Sequence, residues 1–288
     1  MKLVSYRGAE GDTWGVQIGA AVVGRAALGG DVPASLLAFI EACVQDSALA
    51  PAVALRAAAV TARAMPLSSL QLLPVLPRPG KIICLGVNYH DHAREGGNTV
   101  ADYPALFLRC GTSLLAHGAP LRVPAVSAKL DFEAELALVI GAPAKSVSEA
   151  QALKHVFGYA CFNDVTLRDY QRKTTQWTIG KNFDATGGFG PALVTADELP
   201  PGCMGLHIES RLNGRVMQSA STSDMVFGVA RTIALLSETL TLETGDVLVM
   251  GTPAGVGYAR TPPVWMKAGD TIEIEIEGVG LLGNPVTA

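Results

Sequence analysis

The stretch Asp131-Phe132-Glu133-Ala134-Glu135 runs directly into Leu136-Ala137-Leu138-Val139-Ile140, so acidic side chains lead into what reads as a buried strand. Successive side chains on a strand point to opposite faces. Asp131, Glu133 and Glu135 therefore share a face that continues as Ala137 and Val139, while Phe132, Ala134, Leu136 and Leu138 fill the other. An unpaired buried carboxylate costs several kcal/mol, and the usual remedies are a protonated state, a cationic partner or a metal ion. A third carboxylate, Asp164, closes another apolar run, Val156 to Phe162, and so also sits at the end of a predicted buried strand. Three carboxylates without paired histidines form an oxygen-only donor set. Hard oxygen ligands suit Mg²⁺, Mn²⁺ or Ca²⁺, and few protein ligands with room for water and substrate favour Mg²⁺ or Mn²⁺. On pattern alone the same acids also fit solvated strand edges or partners of nearby arginines.

What surrounds this stretch is an ordinary globular sequence. Its 288 residues are 49% hydrophobic, enough for one large domain or a large one with a small one. A formal net charge of −4 and the lack of any Lys/Arg cluster exclude the basic footprint of a nucleic-acid-binding protein. Five scattered cysteines without a Cys-x-x-Cys pair fit free thiols in a reducing compartment and exclude a cysteine-built metal site. The N-terminus lacks a signal-peptide apolar segment, and no run reaches the roughly 20 apolar residues of a membrane span. The expected location is therefore the cytoplasm, with no membrane partner.

Residues 1–75 read as a small N-terminal α+β module, with strands at Lys2–Tyr6 and Thr13–Ile18 and a helix near Ala34–Cys43. The proline-rich Leu73–Gly80 stretch predicts a boundary, and residues 80–286 a catalytic domain. Strands are expected there at Lys81–Gly86, Leu106–Arg109, Glu133–Ile140, Gly205–Leu212, Val247–Met250 and Thr271–Ile276. Helices are expected at Ser148–Lys154, Leu167–Lys173 and Ser223–Glu238. Strands and helices do not alternate regularly, which argues against a doubly wound sheet or a (β/α)8 barrel and for a β-rich α+β fold.

A second dense cluster, Asn88 to Gly97, follows the Lys81–Gly86 strand. If it is a short helix, His92 and Glu95 are i, i+3 neighbours, and a carboxylate beside an imidazole assembles a general base. A rival zinc pair, His90-x-His92, has no evident third histidine. Arg168 and Gln171 follow Asp164 at spacings of four and seven, so on one helix starting near Asp164 they share a side and can orient a substrate oxygen. Lys181, in a stretch crowded with Thr and Gly, is a candidate fixed cation. Gly251-Thr252-Pro253-Ala254-Gly255-Val256-Gly257 can offer backbone N–H groups and the Thr252 hydroxyl to an anion. Neither a Walker loop nor a Rossmann fingerprint is present, which argues against a nucleotide cofactor.

Taken in order, Lys81 to Tyr89, His92-x-x-Glu95, Asp131 to Glu135, Asn163 to Gln171, Lys181 to Asp184 and the Gly251–Gly257 loop resemble the fumarylacetoacetate hydrolase family. The resemblance spans Lys81 to the C-terminus. It implies a mixed β-sandwich roll, usually a homodimer, with a Mg²⁺ or Mn²⁺ ion. It implies Glu133, Glu135 and Asp164 as metal ligands, His92 and Glu95 as a water-activating dyad on a lid, and Arg168, Gln171, Lys181 and Thr252 as substrate-binding positions. Asp131 matches no ligand position and is expected to support its neighbours. Arg109 stands where relatives often carry lysine, which changes the donor geometry. Gly96–Tyr103 is a lid-like segment of the kind that varies with substrate.

The activity expected from these matches is hydrolytic cleavage of a carbon–carbon bond in a 1,3-dicarbonyl compound, foremost a 2,4-dioxo acid of acylpyruvate type. The reaction passes through an enolate held at the metal. His92, held by Glu95, takes a proton from water, and Lys181 shares the charge of the departing enolate. The same chemistry serves isomerisation of unsaturated 2-oxo diacids and decarboxylation of oxaloacetate-like acids. A non-catalytic oxo-acid-binding protein is the reading of a different class.

Overall fold

The alternation of Phe132 to Ile140 is realised in the computed structural model, which describes every residue except Asn98, Val100 and Ala101. Phe132, Ala134, Leu136, Leu138 and Ile140 enter one hydrophobic core, and Ala137 and Val139 enter another. The Ala134–Ile140 strand is therefore buried on both faces along its whole length. Fully burying one leucine side chain contributes roughly 1.5–3 kcal/mol, so this strand is a strong organiser of the fold.

It lies near the middle of an eleven-stranded sheet. Its neighbours are Val156–Asp164 on one side and Val247–Val249 on the other, both antiparallel. Ile82–Gly86 follows in parallel with Val247–Val249, and Ala105–Arg109 closes that edge. Beyond Val156–Asp164 comes Gly187–Thr195, which pairs antiparallel with Lys2–Gly8 through Lys2↔Val194 and Leu3↔Leu193. Gly11–Ile18, Ala21–Gly24 and Met65–Pro66 continue outward. The strands of residues 1–75 thus extend the sheet that carries the acidic residues. Their helices, with Phe39, Ile40 and Val53, share a core with Val139, Ala160 and Val249.

A second, five-stranded sheet runs Arg215–Ser221, His207–Leu212, Thr271–Ile276, Gly280–Thr287 and Leu121–Arg122. It packs Ile208, Ile274 and Leu282 against the Leu136 and Leu138 face, giving two facing sheets with helices at the periphery. This is the sheet-rich α+β architecture expected, with no closed barrel among the described residues. No helix among the described residues is long and apolar enough to cross a membrane.

The helices differ from expectation in instructive ways. Leu36–Gln45 starts where Ser35 Oγ accepts a hydrogen bond from Ala38 N at 3.1 Å, an N-cap that outranks the upstream Pro33 as the start signal. The long helix begins only at Val229, because Ser221 and Asp224 close a capped turn ahead of it. Arg168–Gln171 is a single helical turn, and Asp164 ends the Val156–Asp164 strand, with the short Thr166–Leu167 strand between them. The helix expected to carry Asp164, Arg168 and Gln171 together does not form. Of the lid-like Gly96–Tyr103 segment, Asn98, Val100 and Ala101 lie outside the described residues.

Candidate active site

Adjacent strand ends build the floor. Ala134 pairs with Asn163, and Asp164 N donates to Glu133 O at 3.0 Å, so the chain direction alone brings Glu133 beside Asp164. One oxygen from each of Glu133, Glu135 and Asp164 lies within 4.8 Å of the others, and all three residues are buried. Lys181, the last residue of the Thr178–Lys181 helix, sits on this floor with Nζ 2.6 Å from Glu133 Oε2 and 2.7 Å from Asp164 Oδ2. Arg109 pairs with the other oxygen of Asp164 and donates to Thr186 Oγ1 at 3.0 Å. Arg168 donates from Nε to Asp131 Oδ2 at 2.8 Å. Its Nη2 lies 2.7 Å from Glu133 Oε1 yet outside hydrogen-bond geometry, so that contact is coulombic.

Four formal negative charges, on Asp131, Glu133, Glu135 and Asp164, thus face three positive ones, on Arg109, Arg168 and Lys181. Arginine pairing and a metal site, left as alternatives by the sequence, are compatible, because the cations fall one charge short. Glu135 is the remainder. Among the described residues the only hydrogen bond to its carboxylate comes from Gly251 N at 2.6 Å. Burial, together with repulsion from Asp164 and Glu133, pushes its carboxyl well above the usual range. Burial acts the same way on Glu133, but Lys181, Arg168 and His92 outweigh it and hold that carboxyl down to about 2. Lys181 is raised in turn, the carboxylates of Asp164 and Glu133 prevailing over its desolvation. A buried, oxygen-only donor set with uncompensated negative charge fits a divalent cation held by Glu133, Glu135 and Asp164.

The Gly251–Gly257 loop does something other than cradle a ligand anion. Its N–H groups serve the protein's own carboxylates: Gly251 donates to Glu135, Gly255 to Glu95 at 2.9 Å, and Gly257 to Asp131 at 2.7 Å. Asp131, which also accepts from Tyr258 N at 3.0 Å, fixes Arg168 to this loop and lies off the ligand cluster. Thr252 reaches the cavity wall, but its hydroxyl donates to Ala134 O at 3.0 Å and accepts from Gln218 Nε2 at 2.7 Å. Its donor is therefore already engaged.

His92 and Glu95 lie side by side. His90–Glu95 is a short helix, and His92 Nδ1 lies 3.3 Å from Glu95 Oε2. A carboxylate acceptor places the proton on Nδ1, leaving Nε2 with a lone pair. His92 is 8% exposed and lines the cavity. The turn into this helix is held by Asn88, whose side chain bonds Phe227 N, Phe227 O and Met250 O at 2.8, 3.0 and 2.7 Å. Val87 just before it adopts φ 56°, a left-handed conformation that costs a β-branched residue roughly 1–3 kcal/mol and recurs at functional sites.

These groups face one cavity of about 200 Å³, small beside the roughly 300–1,000 Å³ of sites for drug-sized ligands. Glu133, Glu135, Arg168, Gln171 and Lys181 line it, and Asp164 lies behind Lys181. Gln171 Oε1 accepts from Arg168 Nη1 at 3.1 Å, so its amide NH₂ remains available to a ligand. Three wall residues escaped the sequence reading. Trp177 covers Gly86 so closely that a Cβ there would lie 2.0 Å from its ring, Tyr258 stacks on Arg168, and Arg172 stands at the rim. The one signal available was adjacency, since Arg172 follows Gln171 and Tyr258 follows Gly257.

The family described as fumarylacetoacetate (FAA) hydrolase C-terminal matches residues 81–287. The mitochondrial oxaloacetate tautomerase fahd2 of Xenopus laevis is 43% identical over 222 residues, covering 76% of this chain and 69% of that protein. The human mitochondrial oxaloacetate tautomerase FAHD2A is 37% identical over 292 residues, covering 99% and 91%. Among solved structures, maleylpyruvate hydrolase from Sphingobium.sp SYK-6 superposes with a TM-score of 0.82 at 33% identity, covering 100% of this chain and 99% of that one. The chain belongs to the fumarylacetoacetate hydrolase family.

Proposed function

We propose that this chain is a divalent-metal-dependent tautomerase that moves a proton between the enol and keto forms of an oxaloacetate-type 2-oxo diacid. The observation that carries the reading is His92, oriented by Glu95, facing the same small cavity as Glu133, Glu135 and Lys181. A chain so related to oxaloacetate tautomerases favours proton transfer over the hydrolysis that the motifs first suggested. A divalent ion held by Glu133, Glu135 and Asp164 supplies Lewis acidity to the oxygens of a 2-oxo acid.

The chain's own residues do the rest. In the enol-to-keto direction His92 Nε2 takes the proton of the enol hydroxyl and delivers it to the carbon next to the forming oxo group, and in the reverse direction carries it back, while Glu95 stabilises the imidazolium formed in between. The Gln171 amide donates to a substrate carboxylate oxygen, and its own oxygen stays on Arg168. Lys181 and Arg168 keep the floor close to electrical balance, so an anionic substrate is not repelled by the carboxylates beneath it. Trp177 and Phe107, in edge-to-face contact at 5.9 Å, exclude water from one wall. Hydrolysis of a carbon–carbon bond is the second reading. It is supported by the same His92–Glu95 pair, which is equally placed to activate water, and by the likeness to maleylpyruvate hydrolase.

The test is to mix enol-oxaloacetate with the protein and Mg²⁺ or Mn²⁺ and follow loss of the enol absorbance. Acceleration that EDTA abolishes is expected, and no acceleration with either ion overturns the tautomerase reading. Mass spectrometry of acylpyruvate incubated in parallel reports on the hydrolytic one.

A further inference from the structure

We propose that Arg172 reads the second carboxylate of the substrate and so makes the site selective for 2-oxo diacids over 2-oxo mono-acids. This rests on the reading of the cavity as a 2-oxo acid site. Every other cationic side chain at the floor is committed: Arg109 to Asp164, Arg168 to Asp131 and Glu133, Lys181 to Glu133 and Asp164. Arg172 lines the same cavity, is exposed, and has no carboxylate within 4.0 Å among the described residues. Among the described residues it is the one cation of the cavity whose charge the protein does not itself neutralise. The adjacent Lys173 turns elsewhere, with Nζ 3.4 Å from the centre of the Tyr170 ring.

Position and preorganisation agree with that role. Arg168 and Arg172 both lie over the Tyr258 ring, with guanidinium carbons 4.4 and 4.9 Å from its centre. The two guanidinium groups are therefore no further apart than the total of those distances, and Arg168 is fixed to the floor. In a four-carbon diacid the two carboxyl carbons are about 4 Å apart, and an ion pair with arginine adds about as much again. A diacid with its 2-oxo end on the floor thus presents its far carboxylate within reach of Arg172. Stacking on Tyr258 also limits the rotamer freedom that an exposed arginine otherwise loses on binding.

The experiment compares wild type, Arg172→Gln and Arg172→Lys on oxaloacetate and on 2-oxobutanoate, the mono-acid of equal chain length. Ketonisation is followed for the first substrate and deuterium exchange at C3 for the second. Calorimetric titration of the Mg²⁺-loaded protein with each acid accompanies them. Arg172→Gln is expected to raise KM for oxaloacetate about tenfold, to leave kcat nearly unchanged, and to leave 2-oxobutanoate unaffected, with partial recovery in Arg172→Lys. An unchanged KM for oxaloacetate, or an equal loss on both acids, overturns the proposal. If wild type turns over neither acid, the tautomerase reading fails separately, and the ratio of the two dissociation constants decides. A ratio collapsed about tenfold by Arg172→Gln supports Arg172, and an unchanged ratio refutes it.

Discussion

Replacing Glu135 by glutamine should make the metal-free protein more stable and at the same time blunt its response to metal. Glu135 is 1% exposed, with an oxygen within 4.8 Å of oxygens on Glu133 and Asp164. Two unit charges at that separation repel by about 3–4 kcal/mol at an effective dielectric of 20. Its hydrogen bond from Gly251 N, a charge-assisted one, returns about 1.5–3 kcal/mol. Glutamine keeps an acceptor for Gly251 and turns an amide NH₂ towards the neighbouring carboxylates, replacing repulsion by attraction. Proton uptake by Glu135 limits the wild-type penalty, so the expected net gain at pH 8 is about 1–3 kcal/mol, or about 2–6 °C in melting temperature for a chain of this size. The assay is thermal unfolding by tryptophan fluorescence, with and without Mg²⁺ or Mn²⁺. The metal-induced rise of the wild type should shrink sharply in the variant. A variant that melts below wild type without metal, or gains as much from metal, would falsify the assignment of Glu135 as the uncompensated ligand.

Further expectations address other parts of the site. Gly187→Ala places a Cβ 2.9 Å from Arg109 Nη2 and 3.0 Å from Nε, so it should push the guanidinium off Asp164 and destabilise by about 1–3 kcal/mol in denaturant titration. His92→Asn should retain metal binding by calorimetry while turnover falls about 10²–10⁴-fold; an unchanged rate removes His92 from the proton transfer. Burial holds His117 below its usual value, with Nδ1 accepting from Gly283 N at 3.0 Å. The unfolded chain therefore binds this proton first. The stability that neutral His117 contributes is complete above about pH 6.5 and is lost as pH falls towards the folded-state value. His117→Gln should flatten that decline in melting temperatures between pH 7 and 5.

Much of the floor was legible because it obeys local rules. Alternation alone put Glu133 and Glu135 on one face, the apolar run ahead of Asp164 placed it at a strand end, and i, i+3 spacing joined His92 to Glu95. What stayed hidden depends on pairing between distant segments. Nothing in Lys2–Gly8 announces Gly187–Thr195 as its partner, and the latter's own glycines and proline mask its strand character. The Gly251–Gly257 loop looked like an anion cradle for the same reason. Its N–H groups were foreseeable, but that Glu95, Asp131 and Glu135 would occupy them was not. Arg172 carried no signal beyond its adjacency to Gln171, because the Tyr258 ring that holds it arrives from 86 positions downstream.

The strand buried on both faces divides the site into two regimes of motion and of change. Ala134–Ile140 cannot open without dissolving both cores, so its amides, and with them the geometry of Glu133 and Glu135, should exchange with solvent only through global unfolding. Arg172 is exposed at the rim and depends on no such layer, so its fluctuations cost far less. The carboxylate floor is thereby fixed where a sequence can drift least, and Arg172 stands where it can drift most. On the proposed reading, a lineage built on this scaffold acquires a new acid by altering its rim while the floor stays intact.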